Sequence, residues 1–423
     1  QVGGQMDFDQ DEDRDQQGYW GSRMLTKRIE AWAKVGKVFI DRPYTSIGFQ
    51  VSGLVHQQDA YFGLNDYLAD QQSLYTNLIY QSILGNTNHQ YRTGVSFQLD
   101  KTQEVLSLGS FDRNEYVPGA FLEYTFNHLD MFSAVAGIRV DYHNTYGAFA
   151  TPRLHLRYEP REKTVFRASA GRGQKTPGIF AENIGIFATS RMVYLDSADN
   201  GQPYGLDPEI AWSYGLNFAQ GFTLGQGEAI LNLDYYHTRF INQVVVDLDQ
   251  NPQEVHFYNL DGKSYSHSFQ AQLDLEPLER YDVRLAYRIN DVKTTYGEEL
   301  LPRPLIARHR AFINMAYATK NQWSFDVTWS WQGSKRIPGT ESNPEPYRLE
   351  DTSPAFSLIN LQVAKTLFER LELYGGIENL FDFKQDNPIL ASEDPFGPYF
   401  DSSLIWGPIF GRKFYAGFRF RIN

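Results

Sequence analysis

Three groups of residues have the types and spacing that could do chemistry. Asp7, Asp9, Asp11, Asp13 and Asp15 recur at every second position near the start. Hard cations take several carboxylate oxygens, so Asp7, Asp9, Asp11 and Asp13 form a candidate Ca²⁺ set. The EF-hand pattern fails, because Glu12 stands where that loop needs glycine and Gly18 where it needs a bidentate glutamate. That failure favours the plainer reading, a solvated acidic loop with no metal. Second, the stretch 171–206 sets Arg172, Lys175 and Arg191 among Phe180, Phe187 and Tyr194. Cations beside aromatic faces suit an anionic, aromatic or chelate ligand. The alternative is that these charges meet surrounding phosphates or neighbouring loops. Third, 383–410 carries Pro395-Phe396-Gly397-Pro398-Tyr399-Phe400 and Trp406-Gly407-Pro408. Its prolines stiffen a segment that would otherwise lose more entropy on binding, which makes Tyr399 and Trp406 candidate contacts in a vestibule wall. Packing of the loop on itself is the alternative.

Other chemistries have no residues to carry them. Cys is 0, which removes disulfides, thiolate metal sites and cysteine nucleophiles. The nine His are scattered, with no metal spacing. There is no glycine-rich phosphate loop and no Ser/His/Asp constellation, so neither an enzyme nor a cofactor is expected. The net charge of -12 argues against nucleic acid as a partner.

The elements that must position these loops are strands. Trp323, Phe325, Val327, Trp329 and Trp331 alternate with Ser324, Asp326, Thr328 and Ser330. Segments 132–143, 229–238 and 268–275 alternate in the same way. Side chains alternate faces along a strand, so each segment has one apolar and one polar face. These runs approach the ten or so residues with which a tilted strand crosses a bilayer. No apolar run is long enough for a spanning helix. The aromatic content of 15 % suits the interfacial girdles of an outer-membrane barrel. Trp212, Trp323, Trp329, Trp331 and Tyr142 are expected to face lipid or the interface.

Connections sort by length. Short ones fall at 85–88, 128–130, 159–163, 277–280, 319–321 and 367–369. Long ones fall at 59–72, 100–114, 171–206, 241–262, 291–305, 335–354 and 383–410. Barrels of the outer membrane have short periplasmic turns and long external loops. The pattern predicts an all-β, antiparallel transmembrane barrel of about 17 strands between Arg28 and Ile422. The last strand runs inward, and so does the first, which makes residues 1–27 an external loop. An odd count with an external start implies that upstream strands are missing. It also predicts two unpaired edges, with no ladder between 28–39 and 411–422.

Three motifs then resemble one family. Tyr415-Ala416-Gly417-Phe418-Arg419-Phe420-Arg421-Ile422 resembles the C-terminal assembly signal of outer-membrane barrels, with Tyr415, Gly417, Phe420 and Ile422 at its key positions and an extra Asn423 as the departure. Tyr374-Gly375-Gly376-Ile377-Glu378-Asn379-Leu380-Phe381-Asp382, followed by Gly411-Arg412, is similar to the last loop's flanks in TonB-dependent receptors. Leu206-Asp207-Pro208-Glu209 through Tyr214 resembles their "L-x-P-E" strand start. Thr151-Pro152-Arg153 and 167–173 look closest to receptors of the Bacteroidetes type. The resemblance covers residues 28–423 and implies the C-terminal part of a barrel of about 22 strands with a plugged lumen. The plug, the first strands and the TonB box would lie outside this chain. It also implies partners: the TonB complex through that absent part, the barrel-assembly machinery, outer-membrane lipids and lipopolysaccharide, and a small-molecule nutrient. The activity implied is import, most often of a ferric siderophore, with haem, cobalamin, another metal chelate or an oligosaccharide as alternatives. A passive porin is the competing reading.

Overall fold

The computed structural model describes residues 1–197, 201–225 and 227–422; Asn423 lies outside the described residues. Nearly all of the chain enters one antiparallel sheet of 19 strands. Two of these are short, Val2–Gly4 and Glu299–Pro302. The others are the wall: β1 (Gly21–Phe39), β2 (Arg42–Phe62), β3 (Asn65–Leu84), β4 (Asn86–Leu106), β5 (Gly109–His128), β6 (Phe132–His143), β7 (Gly147–Arg161), β8 (Thr164–Lys175), β9 (Glu209–Leu224), β10 (Gly227–Asn242), β11 (Ser264–Leu278), β12 (Tyr281–Tyr296), β13 (His309–Ala318), β14 (Trp323–Gln332), β15 (Phe356–Leu367), β16 (Leu371–Glu378) and β17 (Lys413–Phe420). Each pairs with the next in sequence order, an up-and-down meander.

Which face meets lipid follows from burial. Along β6, Ile138, Val140 and Tyr142 are about half exposed, whereas Asp141 and His143 on the other face are 5 % and 4 % exposed. Apolar outside and charge inside is the reverse of a water-soluble protein, and it is what a hydrocarbon solvent demands. The cross-strand register keeps this order. Phe325 lies opposite Tyr317 and Val363, Val327 opposite Met315 and Leu361, and Trp329 opposite Ile313 and Ile359. On the other face Asp326 and Thr328 both accept from the Asn314 amide at 2.9 Å.

The lumen face is charge-balanced within the wall. Arg139 holds Asp141 at 2.6 Å, Arg153 holds Glu123 at 2.5 Å, and Arg419 holds Glu372 at 2.9 Å. The terminal motif acquires a steric reason. Tyr374 faces Gly417 and Gly376 faces Tyr415 in register. A Cβ on Gly417 would sit 2.5 Å from the Tyr374 hydroxyl, and one on Gly376 would sit 2.4 Å from the Tyr415 ring. Each tyrosine therefore lies flat over the opposite glycine, covering backbone that has no side chain of its own. Phe420 and Ile422 stay exposed, 58 % and 89 %.

Three sequence expectations need correction. Residues 59–72 and 100–114 are not long loops. β1 to β5 run 19 to 21 residues, twice what a bilayer needs. They turn tightly at 63–64 and 107–108. Past the membrane both faces are polar, as in His56-Gln57-Gln58-Asp59, so no alternation marks the extension, and the neighbouring ladders supply the order instead. Residues 1–27 are not one external loop either. Strand β1 begins at Gly21, and Val2–Gly4 pairs with Gly21–Arg23. The segment 291–305 is also part strand, since β12 continues to Tyr296 and Glu299–Pro302 pairs back on it. The remaining long connections do gather at one end, where they build the cap described next. Among the described residues no ladder joins β1 to β17, so β17 is a sheet edge, and so is β1 beyond the three residues paired with Val2–Gly4.

Candidate functional site: the capped outer mouth

Among the described residues the buried apolar cluster lies not in the wall but above it. Ile179, Phe180, Ile186, Phe187, Tyr204 and Leu206, from the β8–β9 connection, pack against Tyr67 and Leu106 on the inner faces of the extended strands. Val244, Val255 and Phe257 join them from a small sheet in which Met192–Leu195 runs parallel to Glu254–Phe257 and Val244–Asp247 runs antiparallel to it. Helix Ile179–Glu182, which follows Gly178, and the 3-10 turn Ile184–Ala188, which contains Gly185, are short, so they exist because Ile179, Phe180, Ile186 and Phe187 can be buried.

Polar hooks fasten this loop to the lumen face. Glu104, 2 % exposed, accepts hydrogen bonds from Tyr67 at 2.7 Å and from Tyr204. Burial first, and the Glu104 charge second, push the Tyr204 hydroxyl's pKa well above its ordinary value, so it stays a donor. Arg113 donates to the Pro177 carbonyl at 2.7 Å, and Tyr146 donates to the Leu206 carbonyl at 3.1 Å.

The last long connection, 379–412, reaches across to the same place. Ser190 donates from its backbone to the Phe400 carbonyl at 2.8 Å, and Ser402 donates from its hydroxyl to the Ala188 carbonyl at 2.7 Å. Arg191 and Asp401, both almost fully buried, meet at 2.7 Å. Asp401 also accepts from the Ser403 backbone and hydroxyl, each at 2.7 Å. Trp20, ahead of β1, packs against Phe400 with ring centres 5.4 Å apart and planes tilted by 52°. Between these loops lies a cleft of about 470 Å³. Its walls include Trp20, Leu64, Leu108, Tyr194, Phe396 and Phe400.

The candidates of the sequence reading separate here. Arg191 and Tyr194 line the cleft. Arg191 is spent on Asp401 and on the Glu254 carbonyl at 3.0 Å, whereas Tyr194 is 38 % exposed and stacks on His256 at 4.9 Å. Tyr399 stacks on Tyr347 at 5.1 Å, one loop away. Trp406 packs at 6.2 Å from Phe356 and its carbonyl accepts from Lys335. Lys175 is exposed and paired with Glu182 at 2.6 Å. Arg172 donates to the Ala150 carbonyl at 2.7 Å, where the β7–β8 ladder has already ended at Arg153–Gly171. The aspartates do not converge. Asp9 accepts from the Asp11 backbone and Asp13 from the Asp9 backbone, capping the helix Gln10–Asp13. Among the described residues no three His, Asp or Glu side chains gather as a metal site.

Sequence reasoning missed two features. Lys335 is buried over the Phe356 ring at 5.5 Å; burial, then the nearby Arg310, lowers its pKa. His256 bridges Asp196 at 2.6 Å and Glu254 at 3.0 Å. Neither residue stood in a periodic or motif context. The Asn-Leu-Phe-Asp motif, by contrast, was visible and now has a cause. Asn379, at φ 53°, donates to the Phe383 carbonyl at 2.6 Å and to Phe410 at 3.4 Å, and Asp382 accepts from the Arg412 backbone at 2.7 Å. A Cβ on Gly411 would lie 2.1 Å from the Asp382 carboxylate. The motif knots together both feet of the loop that crosses the mouth.

An antiparallel wall, apolar outside and charged inside, with its outer end capped by interlocked loops, defines a transmembrane β-barrel of the outer membrane. Residues 4–380 match the family described as "TonB dependent receptor-like, beta-barrel". The chain belongs to that family. It is 21 % identical over 291 residues to the ferrienterobactin receptor of Escherichia coli (strain K12), which covers 64 % of this chain and 38 % of that protein. Similar solved structures include the ferric-catecholate import receptor Fiu from K12 E. coli (TM-score 0.65, 13 % identity, 95 % of this chain and 64 % of that one). The siderophore receptor PirA from Pseudomonas aeruginosa gives a TM-score of 0.61 at 14 % identity, covering 95 % of this chain and 64 % of that one. The chain thus spans less than two thirds of the length of each of these relatives.

Proposed function

We propose that this chain forms the barrel part of an energised importer that takes a ferric siderophore or similar iron chelate from outside the cell. The observation that carries the reading is the mouth itself. The two connections with candidate ligand contacts, 176–208 and 379–412, meet there around one aromatic cleft. Tyr194, Trp20 and Phe396 offer π-faces to an aromatic or chelate ligand, while Arg191 keeps the cleft's shape through Asp401. Tyr399 and Lys175 lie on the surrounding rim as secondary contacts, whereas Arg172 stands on the outward face opposite Trp212 and is left out of the ligand set. Energy would come from the TonB complex acting on a plug encoded upstream, and upstream strands would cover the edges of β1 and β17. The unpaired edges favour this over a passive porin, since a porin needs a ladder between its first and last strands. The proposal is tested by growth of a deletion strain under iron limitation on ferric catecholates, ferric hydroxamates and haem, with cobalamin and an oligosaccharide as non-iron controls. Restored growth on an iron chelate by the parent gene, lost in Tyr194→Ala and Leu108→Arg, is the expected result. Rescue only by cobalamin or the oligosaccharide overturns the ligand class.

A further inference from the structure

The cleft at the mouth offers a ligand one kind of surface. Trp20, Leu64, Leu108, Met192, Tyr194 and Phe396 give it aromatic and aliphatic walls. Its polar groups turn back into the protein. The Asn65 amide donates to the Phe187 carbonyl at 3.0 Å, the Thr189 hydroxyl to the Ile186 carbonyl at 2.7 Å, and the Ser190 hydroxyl to the Gly397 carbonyl at 2.6 Å. Among the described lining residues Arg191 is the one cation, and Asp401 neutralises it at 2.7 Å. The side-chain donors left to a ligand are the Trp20 indole N–H and the Ser107 and Tyr194 hydroxyls, all neutral.

The connections that frame the cleft are acidic. In 176–208 Arg191 is the sole Lys or Arg, against Glu182, Asp196, Asp199 and Asp207. In 379–412 Lys384 and Arg412 stand against Asp382, Asp386, Glu393, Asp394 and Asp401. Cations elsewhere on the outer loops are taken up by carboxylates: Arg14 by Asp66 at 3.0 Å, Lys175 by Glu182 at 2.6 Å, and Arg336 by Asp249 at 2.8 Å. The imidazole on which Tyr194 stacks, His256, lies between Asp196 at 2.6 Å and Glu254 at 3.0 Å, so even its protonated form faces two carboxylates. The field at this mouth therefore repels anions, and the cleft holds no free cation to reward one that enters.

We propose that the cleft selects an iron chelate without net negative charge, of the tris-hydroxamate class, and rejects a trianionic tris-catecholate. This rests on the import reading and narrows its ligand. Three singly charged hydroxamates balance the ferric ion, whereas three doubly charged catecholates leave a trianion. A trianion must be desolvated against Leu64, Leu108 and Met192, with no charged donor to replace its water. A neutral chelate presents its apolar backbone to those side chains and to the rings of Trp20, Tyr194 and Phe396, and keeps its charges inside the metal's own coordination shell. A pendant ammonium on such a chelate would meet the acidic loops favourably. Specificity here comes as much from the cation that Asp401 removes as from the surface that is left.

The test is equilibrium binding of radio-iron chelates to de-energised cells of a deletion strain that carries the parent gene. Three probes are compared: a neutral cyclic tris-hydroxamate, a linear tris-hydroxamate with one free ammonium, and a cyclic tris-catecholate. Both hydroxamates should bind, the neutral one with an affinity that salt leaves unchanged. The tris-catecholate should bind about 10- to 100-fold more weakly, the cost of setting unpaired charge against apolar surface. Leu64→Lys places a cation at an exposed hairpin tip in the cleft wall. It should narrow the ratio between the neutral and trianionic chelates about 3- to 5-fold, and added salt should restore the gap. A heat-modifiable shift on electrophoresis confirms that the variant is folded. Preference of the parent protein for the tris-catecholate, or an unchanged ratio in Leu64→Lys, overturns the charge selection and leaves the import reading standing. Binding of none of the three overturns both.

Discussion

The Arg191–Asp401 pair should behave as the bolt of the mouth. Its side chains are 2 % and 4 % exposed, and it links two connections separated by 210 positions in sequence. Asp401→Ala leaves the guanidinium buried with only the Glu254 carbonyl at 3.0 Å and the Leu248 carbonyl at 3.4 Å. Removing one partner of a buried pair costs about 3–5 kcal/mol. All of that cost falls on the closed cap, because an open cap would hydrate the arginine. The opening equilibrium should then rise about 10²- to 10³-fold or more. Hydrogen exchange reads this directly at the Ser190, Leu390, Asp401 and Ser402 amides, whose acceptors lie across the junction or within the last loop. Their protection should fall by that factor while amides of β9 to β11 keep theirs. A double replacement, Arg191→Leu with Asp401→Leu, should regain most of the protection, because two apolar side chains leave no stranded charge. Unchanged protection in Asp401→Ala, or equal loss in the wall strands, would refute the bolt.

Other expectations follow from single residues. Val327→Arg places a charge on the apolar face opposite Met315 and Leu361 and should cost about 2–4 kcal/mol near mid-membrane, measured by urea unfolding in lipid vesicles, with Thr328→Arg on the lumen face costing less. Gly417→Ala must displace the Tyr374 ring, so it should slow assembly and lower the melting point, whereas Gly85→Ala, with open space around it, should suffer only from its positive φ of 78°. His256 is partly buried, which works against its charge, but its hydrogen bonds to Glu254 and Asp196 prevail and raise its pKa above 6.5. A raised folded pKa stabilises below the unfolded value and is lost as pH climbs through the folded one. The 192–195 and 254–257 pairing should therefore become more protease-sensitive from about pH 6 toward pH 8, and His256→Gln should flatten that dependence.

The wall was legible in the chain because its information is local. A membrane strand must alternate, since one face meets hydrocarbon and the other meets water or charge, so Trp323 to Trp331 and Phe132 to His143 declare both element and orientation within ten residues. The terminal Tyr415, Gly417, Phe420 and Ile422 were legible as a motif, although only the register disclosed that Tyr415 and Tyr374 each cover the other's glycine partner. The extensions of β2 to β5 were not legible, because polar residues on both faces carry no period and the order there comes from pairing with a neighbour. Arg191, Tyr194, Tyr399 and Trp406 were recognisable as residues with chemical potential. Which of them would be exposed and which consumed was decided when two connections more than 200 residues apart folded against each other, and no sequence spacing encodes that meeting.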